Sequence, residues 1–193
     1  MNGPQTSYPD FVPNQILTNT QLNDLRDHLD LQDREGRSKL VGMGIVCGLL
    51  WEVQGPANAR KVVLDDGLGL TSDGYLVCLP GAIYNRVRDY LDPAVEGNDK
   101  TPQYVPWRTS PTGAQREIFE LVAVVAGETA PADTRVLKQV DLDARVLVLY
   151  VELEPVELRS CFVTECDNKG QKINVNVRVL LVKKSHLSAV APC

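Results

Sequence analysis

The sequence predicts an α+β fold that is mainly β: an extended N-terminal arm, one helix, and a mixed, mostly antiparallel β domain. Three observations lead there. Aromatic residues make up only 6% of the 193, so the core must be built from Val and Leu, a composition that favours strands. A single segment, from Thr18 to the glycines at 42 and 44, combines a helix start signal with helical spacing of leucines in its first half. From Gly44 onward, short apolar runs are separated by turns built on Gly, Pro, Asp and Asn. The expected organisation is an arm and helix over 1–43, then one mainly β domain over 44–193.

Residues 1–16 carry Pro4, Pro9 and Pro13, which keep the backbone extended. Such an arm is either frayed or laid across a neighbour, and in the second case Tyr8, Phe11 and Val12 are its anchors. Thr18 and Gln21 have capping-box spacing, with Leu17 and Leu22 placed as a hydrophobic staple. Leu22, Leu25 and Leu29 recur at i, i+3 and i+7. Beyond Asp30 the helix is almost wholly polar, and Gly42 and Gly44 end it. Asp30, Asp33, Arg34, Glu35 and Arg37 form either a solvated face or a charged contact to another chain.

Ile45 to Val53 reads as one long strand, Lys61 to Leu64 as its return, and Leu68 to Thr71 as the next. Ser72-Asp73-Gly74 makes a tight turn with Gly74 at positive φ, and Tyr75 to Leu79 and Ala82 to Val87 complete a meander. Cys47 and Cys78 lie within apolar runs and are expected to behave as small hydrophobes. Residues 89–116 form a long loop with Pro93, Pro102, Pro106 and Pro111, in which Tyr104 and Trp107 are possible anchors. Glu117 to Val125 is too apolar for periodicity to decide, and its expected state is helix. Arg145 to Glu154 is the strongest strand and is expected to be central, covered on both faces. Ile173, Val175, Val177 and Val179 alternate with Asn174, Asn176 and Arg178, as in a half-buried strand.

The chemistry available is thin. A formal charge of −5 argues against a general nucleic-acid binder. No apolar run is long enough to span a bilayer, and the polar start does not resemble a signal peptide, so synthesis in the cytoplasm is expected. The two histidines, His28 and His186, sit in no catalytic motif. The glycine clusters open strands or lie between them, unlike phosphate-binding loops. Asp65, Asp66 and Asp73 lack calcium-loop spacing. Cys161 and Cys166 flank a turn and are weak candidates for half of a zinc site, or for a disulfide, with free thiols as the default. No cofactor and no enzymatic activity are expected.

Several stretches carry a resemblance. Phe11-Val-Pro-Asn-Gln-Ile-Leu-Thr18, Leu25-Arg-Asp-His-Leu-Asp30, Lys39-Leu-Val-Gly-Met-Gly-Ile-Val-Cys-Gly-Leu49 and Gly67-Leu-Gly-Leu-Thr-Ser-Asp-Gly-Tyr-Leu-Val77 are the first four. Later come Arg145 to Glu154, the Cys161/Cys166 turn and Val177 to Lys183. Together they resemble the N-terminal attachment domains of baseplate and tail-fibre-like proteins of bacterial contractile injection systems. The motifs are structural glycines and core aliphatics, so they mark a fold and bring no catalytic residue. The resemblance implies a structural part of an assembled particle, partnered by other baseplate proteins and by copies of itself, a trimer among the forms expected.

The alternative is a carbohydrate- or surface-binding module using Trp51, Tyr84, Tyr104 and Trp107. On the docking reading the partner-binding residues are Tyr8, Phe11, Val12, Asp30, Asp33, Arg34, Glu35 and Arg37, with Tyr104 and Trp107 as a second contact.

Overall fold

The computed structural model describes residues 7–90, 116–162 and 165–189. Among the described residues strand exceeds helix, so the fold is mainly β within the α+β class. In chain order, helix α1 (Asn19–Gly36) runs into a π-helical turn (Arg37–Val41). Strands follow: β1 (Gly44–Gly48), β2 (Trp51–Gln54), β3 (Lys61–Leu64), β4 (Gly67–Leu70), β5 (Leu76–Leu79), β6 (Ala82–Tyr84), β7 (Arg86–Asp89), β8 (Ile118–Val122) and β9 (Arg135–Val136). The one-turn helix α2 (Gln139–Leu142) precedes the long strands β10 (Arg145–Phe162) and β11 (Glu165–Lys183) and a closing 3-10 turn (Lys184–Ala189). Every strand pairing among the described residues is antiparallel.

The chain forms two compact units, one of Met1–Gly48 with Gly67–Leu79, the other of Leu49–Asp66 with Pro80–Cys193. Helix α1 shares a unit with β1, β4 and β5. In that first unit the capping box forms as the spacing predicts. Thr18 Oγ1 accepts from the Gln21 amide at 3.3 Å, and the Thr18 amide donates to Gln21 Oε1 at 3.1 Å. Gly42, at φ +94, ends the helical path, its amide donating to the Arg37 carbonyl. Three strands in the order β1-β4-β5 make the sheet.

The segment Ile45 to Val53 is not one strand. It breaks at Leu49, a left-handed residue at φ 56 whose side chain is buried, and the chain passes into the second unit there. The break is held by two backbone bonds, Leu49 N to Asp66 O at 3.2 Å and Asp65 N to Leu50 O at 2.8 Å. Left-handed geometry costs a non-glycine residue about 1–2 kcal/mol, which burial of a leucine side chain offsets.

The second unit has a three-stranded sheet, β2-β3-β6, and a five-stranded one, β10-β11-β8-β7-β9. Its main core joins Val62, Val87, Phe119, Leu121, Val179 and Leu181 with Leu137 and Leu142 near α2. On the opposite face of the larger sheet, Tyr90, Ile118, Leu180 and Val182 form a second cluster with Val146, Val148 and Tyr150.

Two expectations are corrected here. The Glu117 to Val125 run holds a strand, β8, not a helix. It lies between β11 and β7, with Ile118, Phe119, Glu120 and Leu121 all buried, and burial on both faces erases the alternation that would have marked it. Strand β10, expected to be central, is the outer strand of its sheet. Its apolar character reflects packing of its first half on both faces.

Candidate docking surface

Helix α1 has no buried residue along its whole length. Leu22 and Leu29, from the apolar stripe, are exposed, and Leu25 is only half-buried. An isolated helix of this length is marginal in water, and most helical stability in proteins comes from burying an apolar face. The exposed apolar residues also extend beyond the helix. Ile16 and Leu40 are each 87% exposed, and Val41, Met43, Ile45 and Val46 are exposed too.

The arm folds back on the helix. Tyr8 stacks on His28 with ring centroids 5.0 Å apart and 26° between planes, while its own surface remains largely open. His28 Nδ1 is enclosed without a hydrogen-bond partner. Phe11 and Val12 are exposed, on a turn closed by Gln15, whose amide donates to the Val12 carbonyl at 3.2 Å.

The charged residues of the helix find partners within it. Asp30 pairs with Arg34 at 2.8 Å, Asp33 with Arg37, and Glu35 with Lys39 at 3.1 Å, each at i, i+4. Arg34 also reaches out of the helix. It donates to the Asp73 carbonyl at 3.3 Å and lies 5.0 Å from the centre of the Tyr75 ring. Gly74, at φ +82 as the turn requires, sits directly against the Arg34 backbone. Arg34 thus positions α1 on the β4–β5 turn, and the surface left over for a partner is apolar.

Elsewhere the expected site residues are dispersed. Cys47 and Cys78 are exposed, not core hydrophobes. Their strands flank β4, and both are register partners of Leu68, so they share its outward face. Cys161 and Cys166 are register partners across the β10–β11 turn, as the spacing suggested. Among the described residues no group of three His, Cys, Asp or Glu is close enough to hold a metal ion. Tyr104 and Trp107 lie outside the described residues. Of the other aromatics in the sugar-stacking alternative, Trp51 is exposed, but Tyr84 packs against the main core, and burial pushes its hydroxyl above the usual tyrosine range.

Two charged arrangements in the second unit were not legible from the sequence. Arg88, Glu120, Arg178 and Glu152 form a ladder across four strands, with N–O distances of 2.8, 3.0 and 2.8 Å, and Tyr90 donates to Glu152 at its end. These residues are far apart in sequence, and only strand register brings them together. The second is a recess of about 980 Å3, in which Phe119 is flanked by Arg135 at 4.8 Å and Arg145 at 4.1 Å. Asp141 neutralises Arg135 at 2.6 Å; Glu117 bridges Arg145 at 2.6 Å and Lys183 at 2.9 Å. Arg86 donates to Thr134. The charges of this recess mostly hold its own walls together.

No protein-family model matches the chain, and no curated protein shows significant similarity to it. Among the described residues no helix is long and apolar enough to cross a membrane.

Proposed function

We propose that this chain is a non-enzymatic structural component of a contractile injection system baseplate, docking an accessory or fibre-like element to the particle. The observation that supports it best is α1, an 18-residue amphipathic helix with no buried residue, continued by exposed apolar side chains through Val46. Such a surface gains stability only when something covers it. The fibre or baseplate partner is named by the sequence resemblance; the uncovered surface supplies the physical reason for docking.

Covering the exposed half of Leu22 and Leu29 stabilises a complex by about 1 kcal/mol each. Leu22→Ser with Leu29→Ser should therefore weaken incorporation into particles on the order of 30-fold. Circular dichroism should still report a folded chain, because neither side chain is part of a core. Particles that take up the double variant as efficiently as the wild type would contradict the proposal.

A further inference from the structure

The recess beside Phe119 carries more positive charge than its own carboxylates balance. Arg86, Arg135, Lys138, Arg145 and Lys183 line it, against Glu117, Asp141 and Asp143, so five cations meet three acids and two positive charges are in excess. The pairings show where the excess lies. Asp141 answers Arg135, while Glu117 alone serves both Arg145 and Lys183. Asp143 accepts from the Gln139 side-chain amide at 2.9 Å and meets no cation among the described residues.

Two cations are left without a carboxylate. Arg86 donates from Nε and Nη2 to the hydroxyl and carbonyl of Thr134, at 2.6 and 2.8 Å, and both acceptors are neutral. Lys138 is exposed, and among the described residues its ammonium forms no ion pair. The positive field reaches past the lining. Loss of solvation first, then Arg116, Lys183 and Arg145, hold the imidazole of His186 below its usual value.

The same recess has an uncovered apolar wall. Val136 is 40% and Val140 69% exposed, and both line it. At about 980 Å3 the recess lies at the upper end of the size of small-molecule sites, which combine apolar walls with a few placed polar groups. A carboxylate would answer one of the two spare charges. A phosphomonoester carries about −1.5 to −2 charges near neutral pH and offers three acceptor oxygens to Arg and Lys donors.

We infer that this recess binds a small organic phosphate, its dianionic head drawn by the charge of Arg86 and Lys138 and its apolar part laid on Val136 and Val140. The site lies wholly within the second unit. It therefore stands apart from the docking role of α1.

The test uses the purified full chain with phenyl phosphate as the probe, followed by calorimetry and by amide shifts of the isotopically labelled chain. Binding should saturate with a Kd below about 1 mM and move the amides of residues 136–140. Inorganic phosphate, which lacks the apolar part, and phenol, which lacks the charge, should each bind at least about tenfold more weakly. Arg86→Gln with Lys138→Gln should weaken phenyl phosphate binding about tenfold or more, whereas Lys172→Gln, which removes one exposed charge outside the recess, should not. Val140→Asp changes an exposed side chain outside both cores, so it serves as a second variant, and its carboxylate should weaken binding at least as much. Absence of saturation up to about 10 mM, or wild-type affinity in the recess variants, would overturn the inference. So would inorganic phosphate binding as tightly as phenyl phosphate. Each of those results leaves the incorporation test of α1 unaffected.

Discussion

At Gly74 a Cβ would lie 2.3 Å from the Arg34 carbonyl oxygen, in a backbone conformation with φ +82 that side chains rarely adopt. Gly74→Ala therefore forces the helix off the β4–β5 turn, and we expect a loss of about 2 kcal/mol or more, measurable by urea titration of the first unit's signals. In the second unit, Glu120 holds Arg88 and Arg178 together at a side-chain exposure of 10%. Glu120→Gln leaves two partly buried guanidiniums short of a counter-charge and should cost about 3 kcal/mol, read from the shift in denaturation midpoint. Acid acts on the recess through Glu117 and Asp141. A hydrogen bond from Lys183 above all, joined by one from Arg145, holds the Glu117 carboxyl below the usual range against the opposing effect of burial. For Asp141, burial pushes upward, but Arg135 and the Lys138 amide more than offset it. Because both folded values are depressed, their stabilisation is present above the ordinary carboxylate range and lost as pH falls through and below it. Denaturation midpoints should be flat from neutral pH to about 5 and fall below about 4, the fall being smaller in Glu117→Gln. An unchanged midpoint at pH 3 would contradict this account of the recess.

The helix was the most legible element, because its signals are local. Thr18, Gln21 and Gly42 act within a turn or two of the backbone they cap, and the structure forms each contact. Thr18→Ala should cost about 1 kcal/mol of local helix stability, seen as faster amide exchange over Thr20–Leu25 with little change in the global unfolding midpoint. The midpoint should hold steady because no residue of α1 belongs to a core. Strand β8 shows where local reading fails. Its sequence suits a helix or a buried strand equally, and only the partners β7 and β11, 30 residues before it and 60 after by order of magnitude, decide. Strand β10 was recognised as a strand, but its place at the sheet edge depends on which strand its hairpin partner meets next. The alternation in Ile173–Val179 was read as half-buried, and the alternation is real. What sequence could not supply is that Val175 and Ile173 on the apolar side are exposed. Hairpin length was the available signal, since strands of this length far exceed the usual five or six residues.

At the scale of the whole molecule, apolar side chains stand exposed in each unit among the described residues. The first unit leaves an apolar helix face and its continuation through β1 exposed; the second sends out an amphipathic ribbon. The charged residues that looked in sequence like partner contacts, Asp30, Asp33, Arg34, Glu35 and Arg37, are satisfied inside the helix or by the turn beside it. On the proposed docking role, recognition would be driven by apolar burial, and incorporation should tolerate raised salt better than a contact built on ion pairs. The proposed docking role is tested most directly by amide hydrogen exchange of α1, compared between the free chain and the chain incorporated in the particle. The account predicts rapid exchange over Leu22–Gly36 in the free chain and protection at least tenfold greater on incorporation. Equal exchange in the two states would show that α1 is not where the chain docks.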